Sequence, residues 1–499
     1  MNAVKKNYTG PIIICFFMFA MISFVTGFQN PFGVILKEQL SLSNVQSQLG
    51  NLANFAAYLF MGLPAGFILR KKGYKFSALC AVILGLAGVC LMFISSMFPT
   101  HDINTVFSVY LSGAFIAGFS MCMLNTVVNP LLNSLGGGGK EGNTLLQFGG
   151  ATNSLAATIC PVLVGYLMGA DLKGCTLIQA RPALYIAMGI FAIAFIVFSL
   201  STLPEPILEE AKKEQAEGKK TAKPTLRRAF GFSHFTLGVI SIFLYVGIEV
   251  GIPNFANLYM TTDSIETANN KICSYTVQSR PIARTASENA EEGTETMNKA
   301  KVSESDMPQI QEEYIRATKI KNGELHSGLG MSAGTAGTLV GMYWFLMLIG
   351  RLVGGVLGRK ISSRTMLAFT SAIGIALILC AIGFDSSYTV KMPGINSDLS
   401  FSLTDVPVSI LFLTLCGLCT SVMWGCIFNL AVEGLGKFIA VASGFFMVMV
   451  CGGGILPLFQ GWIADIAGYL SSYWVLIAAL AFLLFYALIG SKVRKCDID

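Results

Sequence analysis

A chain of 499 residues that is 54% hydrophobic and only 12% charged, with a mean hydropathy of +0.64, is not built for water; soluble chains carry about a quarter charged residues. That balance, with 36 Phe and 52 Gly, points to helices that face lipid and pack closely on one another. It excludes as the main body a nucleic-acid-binding domain, a secreted disulfide scaffold or a soluble enzyme, and with a net charge of only +6 the placement of charges says more than their sum.

Twelve apolar segments are each long enough to cross a bilayer, which takes about 20 residues. In chain order they are 11–36, 45–69, 76–98, 105–133, 145–169, 182–203, 231–260, 331–357, 365–384, 406–433, 438–465 and 470–492. The first follows Lys5 and Lys6, is too long for a signal-peptide core and ends without a small-x-small cleavage site, so it is expected to be retained. Residues 204–230, charge-rich and bounded by Pro, divide the spans six and six and read as a linker between halves 1–203 and 231–499. A second hydrophilic stretch, 261–330, separates spans 7 and 8. It is poor in aromatics, and only QIQEEYIRATKI has a helical period, so one short helix in a mobile cap is expected. The alternation in 385–405 predicts a hairpin.

Most of the 34 Lys and Arg fall on one side if the N-terminus is cytoplasmic: Lys5 and Lys6, Arg70 to Lys75, Lys140, the 204–230 linker, Arg351 to Arg364, Lys437 and the C-terminal basic residues. Many of the others lie in the long 261–330 loop, which the positive-inside rule discounts. Both termini are therefore expected in the cytoplasm of a multi-pass protein of a plasma membrane, the inner membrane in a bacterium. GLPAGFILRKKGYK (62–75) and GRLVGGVLGRKISSR (350–364) stand at equivalent places in the two halves. Both run from a small-residue helix end into a basic turn, as two copies of one six-helix unit would. Arg70, Lys71, Arg351 and Arg359 are the gate candidates on these turns. Arg351 is read as lying near the cytoplasmic end of span 8, either pairing with a carboxylate such as Glu433 or Asp465 or capping helix-end carbonyls.

Of the 28 acidic residues, Glu249 alone lies deep in an apolar run. An ionised carboxylate there costs roughly 2.5 to 3.5 kcal/mol on insertion scales, so its presence points to a use, and proton coupling is the candidate role. Gly247, Gly251 and Pro253 around it suit a broken helix lining a cavity. Amides are the second group: Gln29, Asn30, Asn51, Asn54, Asn125, Asn129, Asn153, Asn254, Asn257 and Asn429 all fall in spans. A neutral polyol needs such paired donors and acceptors, although any single amide can equally serve as interhelical glue. Tyr245, Trp344 and Trp424, with Phe28 and Phe428 behind them, are candidates to stack on a sugar ring. Thirteen cysteines and three histidines suggest no metal site: Cys416-x-x-Cys419 has no second pair or His beside it. No Walker A or nucleophile elbow appears, so no cofactor and no enzymatic activity are expected.

Twelve helices in two halves with this paired loop resemble the major facilitator superfamily. NPFGVILKEQLSLSNVQSQL (30–49), LNTVVNPLLNSLG (124–136), FLYVGIEVGIPNF (243–255) and GFFMVMVCGGGILPLFQGWIAD (444–465) resemble its fucose/glucose-galactose proton symporter family. The resemblance implies an all-α membrane fold of two six-helix pseudo-repeats and a monomeric importer of a neutral hexose or deoxyhexose, driven by protons through alternating access. It implies no nucleic-acid partner, only a sugar and the bilayer. The fucose branch carries acids in spans 1 and 4 where this chain has Asn30 and Asn125. The family's Gln one turn before an Asn-Ser pair of span 5 is also replaced: Asn153-Ser154 is kept, Gly150 stands before it, and Gln147 one turn further back joins the candidate sugar contacts. Passive or sodium-coupled transport is the alternative, with Glu249 fixing a cation, and a transporter-like sensor using the 261–330 loop is a third reading.

Overall fold

The computed structural model describes residues 8–39, 44–98, 102–168, 181–206, 208–209, 226–278, 314–315, 317–331, 333–384, 387–395 and 400–493. The spans follow the expected order. The first is Thr9–Gln39; the second and third form one helical run, Asn44–Ser95; the fourth to sixth are Ile103–Leu135, Gly139–Met168 and Arg181–Leu200. The seventh to ninth are Ser233–Thr261, Ala333–Gly358 and Ser363–Gly383. The tenth comes in two pieces, Val408–Thr420 and Met423–Val432. The eleventh is Ile439–Val448 and Gly452–Ala467 joined by a 3-10 turn, and the twelfth, Trp474–Phe485, is prolonged by a π turn. Among the described residues, 9 helices are long and apolar enough to cross a membrane. One of these is the run that holds spans 2 and 3, and spans 1 and 5 complete the twelve. The protein is a multi-pass, all-α membrane protein.

Spans 2 and 3 are separated by Gly73, whose φ of 83° and ψ of −176° only glycine adopts readily. A Cβ there would collide with the Glu205 carboxylate. That carboxylate accepts from the Tyr74 and Lys75 amides at 2.7 and 2.8 Å, which caps span 3. Lys75 Nζ donates in turn to the carbonyls of Ser199 and Ser201 at the end of span 6, at 2.7 and 2.8 Å. The second half repeats the arrangement: Arg364, at the matching place in its basic turn, donates to Ser491 Oγ at 3.0 Å and Ser491 O at 3.1 Å at the end of span 12. In each half a cation after the turn holds the carbonyl end of that half's last helix, the favoured partner for the helix dipole. The echo seen in the sequence is thus an echo in packing.

The end of the bundle that carries these turns is here termed the basic end. There the two sets of six spans are joined. Lys140 Nζ donates to Lys360 O at 2.9 Å, and Asn429 Nδ2 donates to Gly139 O at 3.0 Å and Ser363 Oγ at 2.9 Å. Spans 2 and 11 cross backbone to backbone because Gly62, Gly66 and Gly444 lack side chains; a Cβ on Gly66 would come within 2.8 Å of Ala440 O.

The opposite end carries the expected hairpin. Strands β1 (Thr389–Ile395) and β2 (Phe401–Pro407) pair antiparallel, with Lys391 opposite Asp405, so β2 takes residues the hydropathy pattern assigns to span 10. Met392 and Val406 bury against Ala336, Leu339 and Met342 of span 8. The insertion between spans 7 and 8 holds more helix than its composition suggests. Besides the helical residues at 314–315 and 317–321 there is a helix Ile265–Gln278, and Ala268, Ala317 and Ile320 form a small core. The amides of Gly328, Gly330 and Met331 donate to the carbonyls of Asp263, Thr262 and Met260, which returns the chain to the end of span 7. Few aromatics are needed when three apolar residues on two short helices supply the contact.

Gly73→Ala combines a disfavoured backbone with a clash at Glu205, and is expected to cost about 1–3 kcal/mol. Thermal unfolding in detergent reads the effect; an unchanged midpoint would mean that the Glu205 cap does not lock this turn.

Candidate functional site

Glu249 lies on span 7 between Gly247 and Gly251, which let span 11 approach: a Cβ on Gly247 would meet Leu456, and one on Gly251 would meet Gln460. Its side chain is 16% exposed. The Arg351 guanidinium lies beside it, Nη2 to Oε1 at 3.2 Å. Arg351 is itself buried, and three of its other four donors are also occupied. Nη1 donates to Gly150 O at 2.9 Å and Ser154 Oγ at 2.7 Å, and Nε to Ser421 O at 3.3 Å. One side chain of span 8 therefore joins span 7, span 10 and, across the interface between the two sets of six, span 5. The carboxylate expected for Arg351, Glu433 or Asp465, is corrected to Glu249, because span 8 places Arg351 about two turns before its end and within reach of span 7. The alternative, that it meets a helix-end carbonyl, agrees with its bond to Ser421 O at the break in span 10.

Two local features make room for the guanidinium. The break in span 10 between Thr420 and Met423 puts the carbonyls of Ser421 and Val422 where side chains reach them: Arg351 takes the first and Gln147 Nε2 the second, at 2.9 Å. In span 5, Gly150 stands where the resemblance leads one to expect Gln, and a Cβ at that position would be 3.3 Å from Arg351 Cδ. That departure was the one signal in the sequence for the contact. Ser154, Ser421 and Tyr343 carry no mark in the hydropathy pattern that sets them apart as partners of this pair. The Tyr343 hydroxyl donates to Glu249 O at 3.3 Å and lies 3.0 Å from Thr420 Oγ1. Tyr245, one turn before Glu249, is fully buried and adjoins both Glu249 and Arg351.

The amides divide by what they touch. Asn129 Oδ1 accepts from Trp424 Nε1 at 3.0 Å across the interface, while its Nδ2 donates to Asn125 O at 2.8 Å. Asn125 donates to the Tyr58 hydroxyl at 2.9 Å. With Gln147 on Val422 O and Asn429 on Gly139 O, three of the candidate amides (Asn129, Gln147 and Asn429) join the two sets of spans. Asn153, half-buried, donates to Phe19 O at 3.2 Å. Asn254 and Trp344 are exposed. The side chains of Gln29, Asn30, Asn51 and Phe28 lie outside the described residues. Tyr245, Trp424, Phe446 and Phe428 form a column of ring contacts, with successive centroids 6.2, 6.1 and 5.2 Å apart. Of the other gate candidates, Lys71 and Arg359 are exposed, and Arg70 lies over the Phe67 ring at 5.7 Å. Among the described residues no group of three or more His, Cys, Asp or Glu could hold a metal ion, and Cys416 and Cys419 are buried free thiols.

The model of the Major Facilitator Superfamily matches residues 13–268 and 308–495. The chain is 24% identical over 492 residues to the glucose/galactose transporter of Brucella abortus, covering 98% of this chain and 96% of that one. It is 21% identical over 493 residues to the L-fucose-proton symporter of Escherichia coli, covering 94% and 91%. Among solved structures it is similar to FucP, a transporter of the same superfamily in its outward conformation, with a TM-score of 0.68 at 18% identity over 97% of this chain and 100% of that one. The proton:xylose symporter XylE gives 0.62 at 13% identity, covering 97% of each.

Removing one member of a buried ion pair strands the other's charge, which typically costs about 3–5 kcal/mol, whereas replacing both is far milder. Arg351→Gln is therefore expected to lower the unfolding midpoint sharply, and Glu249→Gln added to it to recover much of the loss. A double variant no more stable than Arg351→Gln alone would argue that the pair is not energetically coupled.

Proposed function

The chain belongs to the Major Facilitator Superfamily, and on that premise we propose that it imports a neutral monosaccharide by alternating access, one proton entering through Glu249 with the sugar. The observation that carries the coupling half of this reading is the Glu249–Arg351 pair, a carboxylate and a guanidinium 3.2 Å apart at the junction of the two sets of six spans. A charge that compensates another at a moving interface is where protonation and movement exchange energy. The sugar half is supported by the relatives, whose names are those of glucose/galactose transporters and L-fucose-proton symporters over nearly the whole chain.

Neutrality of the substrate fits the charge inventory. An anionic sugar wants a cation at mid-membrane, and Arg351, the buried Arg there, is committed to Glu249 and three neutral oxygens. The same pairing favours proton over sodium, since a carboxylate already compensated by a guanidinium offers a metal cation little further attraction. Asn153, Asn254 and Trp344 are the sugar contacts this reading favours, joined on sequence grounds by Gln29, Asn30 and Asn51. We place the basic end in the cytoplasm with both termini, residues 204–230 as the linker between halves 1–203 and 231–499, and the protein as a monomer in the inner membrane of a bacterium. In that orientation the junctions at the basic end close the cytoplasmic side, and the structure corresponds to an outward-facing state.

Reconstituted in liposomes, Glu249→Gln is expected to lose accumulation of labelled hexose against its gradient while keeping counterflow within a few fold. Accumulation that persists in Glu249→Gln under a proton-motive force would remove the coupling role from this residue.

A further inference from the structure

Arg351 has an unusual set of partners for a buried cation. It carries one positive charge, compensated among the described residues by Glu249, yet two of its hydrogen bonds go to Gly150 O and Ser154 Oγ, on the other side of the interface that must open for alternating access. Around Glu249, the titratable groups brought to bear are Arg351 and Tyr343 of span 8 and Tyr245 of its own span; among the described residues no carboxylate or amine of spans 10 to 12 is placed against it. The charge on Arg351 is thus tolerated in this apolar setting by one carboxylate, and its grip on span 5 is exerted from that compensated position.

We propose that Arg351 is a positioning residue for coupling, a latch that holds span 5 shut against spans 8 and 10 only while Glu249 is ionised. When Glu249 takes up a proton it becomes neutral, and the guanidinium is left with three neutral oxygens for a full buried charge. That arrangement is unstable in a low-dielectric interior. The guanidinium then moves toward water, and in moving it lets go of Gly150 and Ser154. Proton binding at span 7 is in this way converted into release of a contact between the two sets of six. Gly150 is the enabling substitution, because a side chain at that position would crowd the Arg351 stem. The latch rests on the proton-coupled reading above, but it adds a direction: neutralising Glu249 favours opening of the basic end.

Hydrogen–deuterium exchange of the full-length protein in detergent, read at segments 139–147 and 355–362 of the basic end and at Ile265–Gln278 of the opposite end, tests this. At a pH where wild type exchanges slowly at the basic end, Glu249→Gln is expected to exchange about fivefold faster there or more, the low end of common coupling terms, with the opposite end unchanged. Wild type should approach the variant as pH falls, after correction for the intrinsic rate. Ser154→Ala, which leaves the ion pair intact, should speed exchange at the basic end while keeping the pH dependence. In Arg351→Lys, whose single ammonium cannot span both partners, Glu249→Gln should add nothing further. Unchanged exchange at the basic end in both Glu249→Gln and Ser154→Ala overturns the latch, and so does faster exchange at both ends alike, which marks general loosening. The two readings fail separately: loss of accumulation in Glu249→Gln with unaltered exchange sinks the latch alone, whereas accumulation that survives in that variant sinks the coupling role whatever the exchange.

Discussion

A guanidinium buried in an apolar bundle must have its charge compensated and its donors satisfied, and that requirement at Arg351 organises the centre of this protein. Its charge goes to Glu249 on span 7, and three further donors go to oxygens of spans 5 and 10. Desolvating such a pair costs several kcal/mol per ion, repaid only when the geometry and the extra hydrogen bonds are good. Conformational specificity is one attested reason to keep one. Here the specificity is of state: the arrangement exists only when span 5 lies against span 8.

The surrounding structure supplies what that arrangement needs. Gly247 and Gly251 bring span 11 close behind Glu249, Gly150 clears a path for the arginine stem, and the break in span 10 presents two backbone carbonyls to side chains. Between the centre and the basic end, Gln147, Asn129, Asn143 and Asn429 bind partners across the interface with neutral amides. Such bonds are worth on average about 0.6 kcal/mol each inside membranes, weak enough to break in sequence as a transporter turns over. The frame that holds each set of spans is of a different kind. Lys75 and Arg364 fasten the last helix of each half through charge-assisted bonds to backbone carbonyls that involve no residue of the opposite half. Across the interface the amide bonds are neutral, and the charged ones among the described residues are those of Arg351 and Lys140. The bonds of Lys75 and Arg364 stay within their own halves, a division that suits rigid-body rocking.

The fold was legible because lipid imposes length and hydropathy on every span, and a basic turn repeated at matching places declares a duplication. Glu249 was legible for the same reason, since a lone carboxylate in an apolar run stands out against its background. Arg351 was visible as a basic residue near a span's end, but its partners lie 102 and 201 positions away in the sequence. No periodicity reports on contacts at that distance. The amides show a different limit: a span containing Asn or Gln looks the same whether the amide faces a sugar or a carbonyl of the next helix, and Gln147, Asn129 and Asn429 turned out to face the latter or an indole. The helix Ile265–Gln278 was hidden by its polar composition, because a three-residue core leaves little trace in a hydropathy window.

The central claim is that Glu249 is a carboxylate held by Arg351 in this state and gains a proton as the transporter changes state with sugar bound. Infrared difference spectroscopy of the reconstituted protein on adding sugar observes this directly. A protonated-carboxyl C=O band should grow, shift in heavy water, and vanish when Glu249 is replaced by Gln. A difference spectrum without that band, or with a band that survives the replacement, would contradict the account.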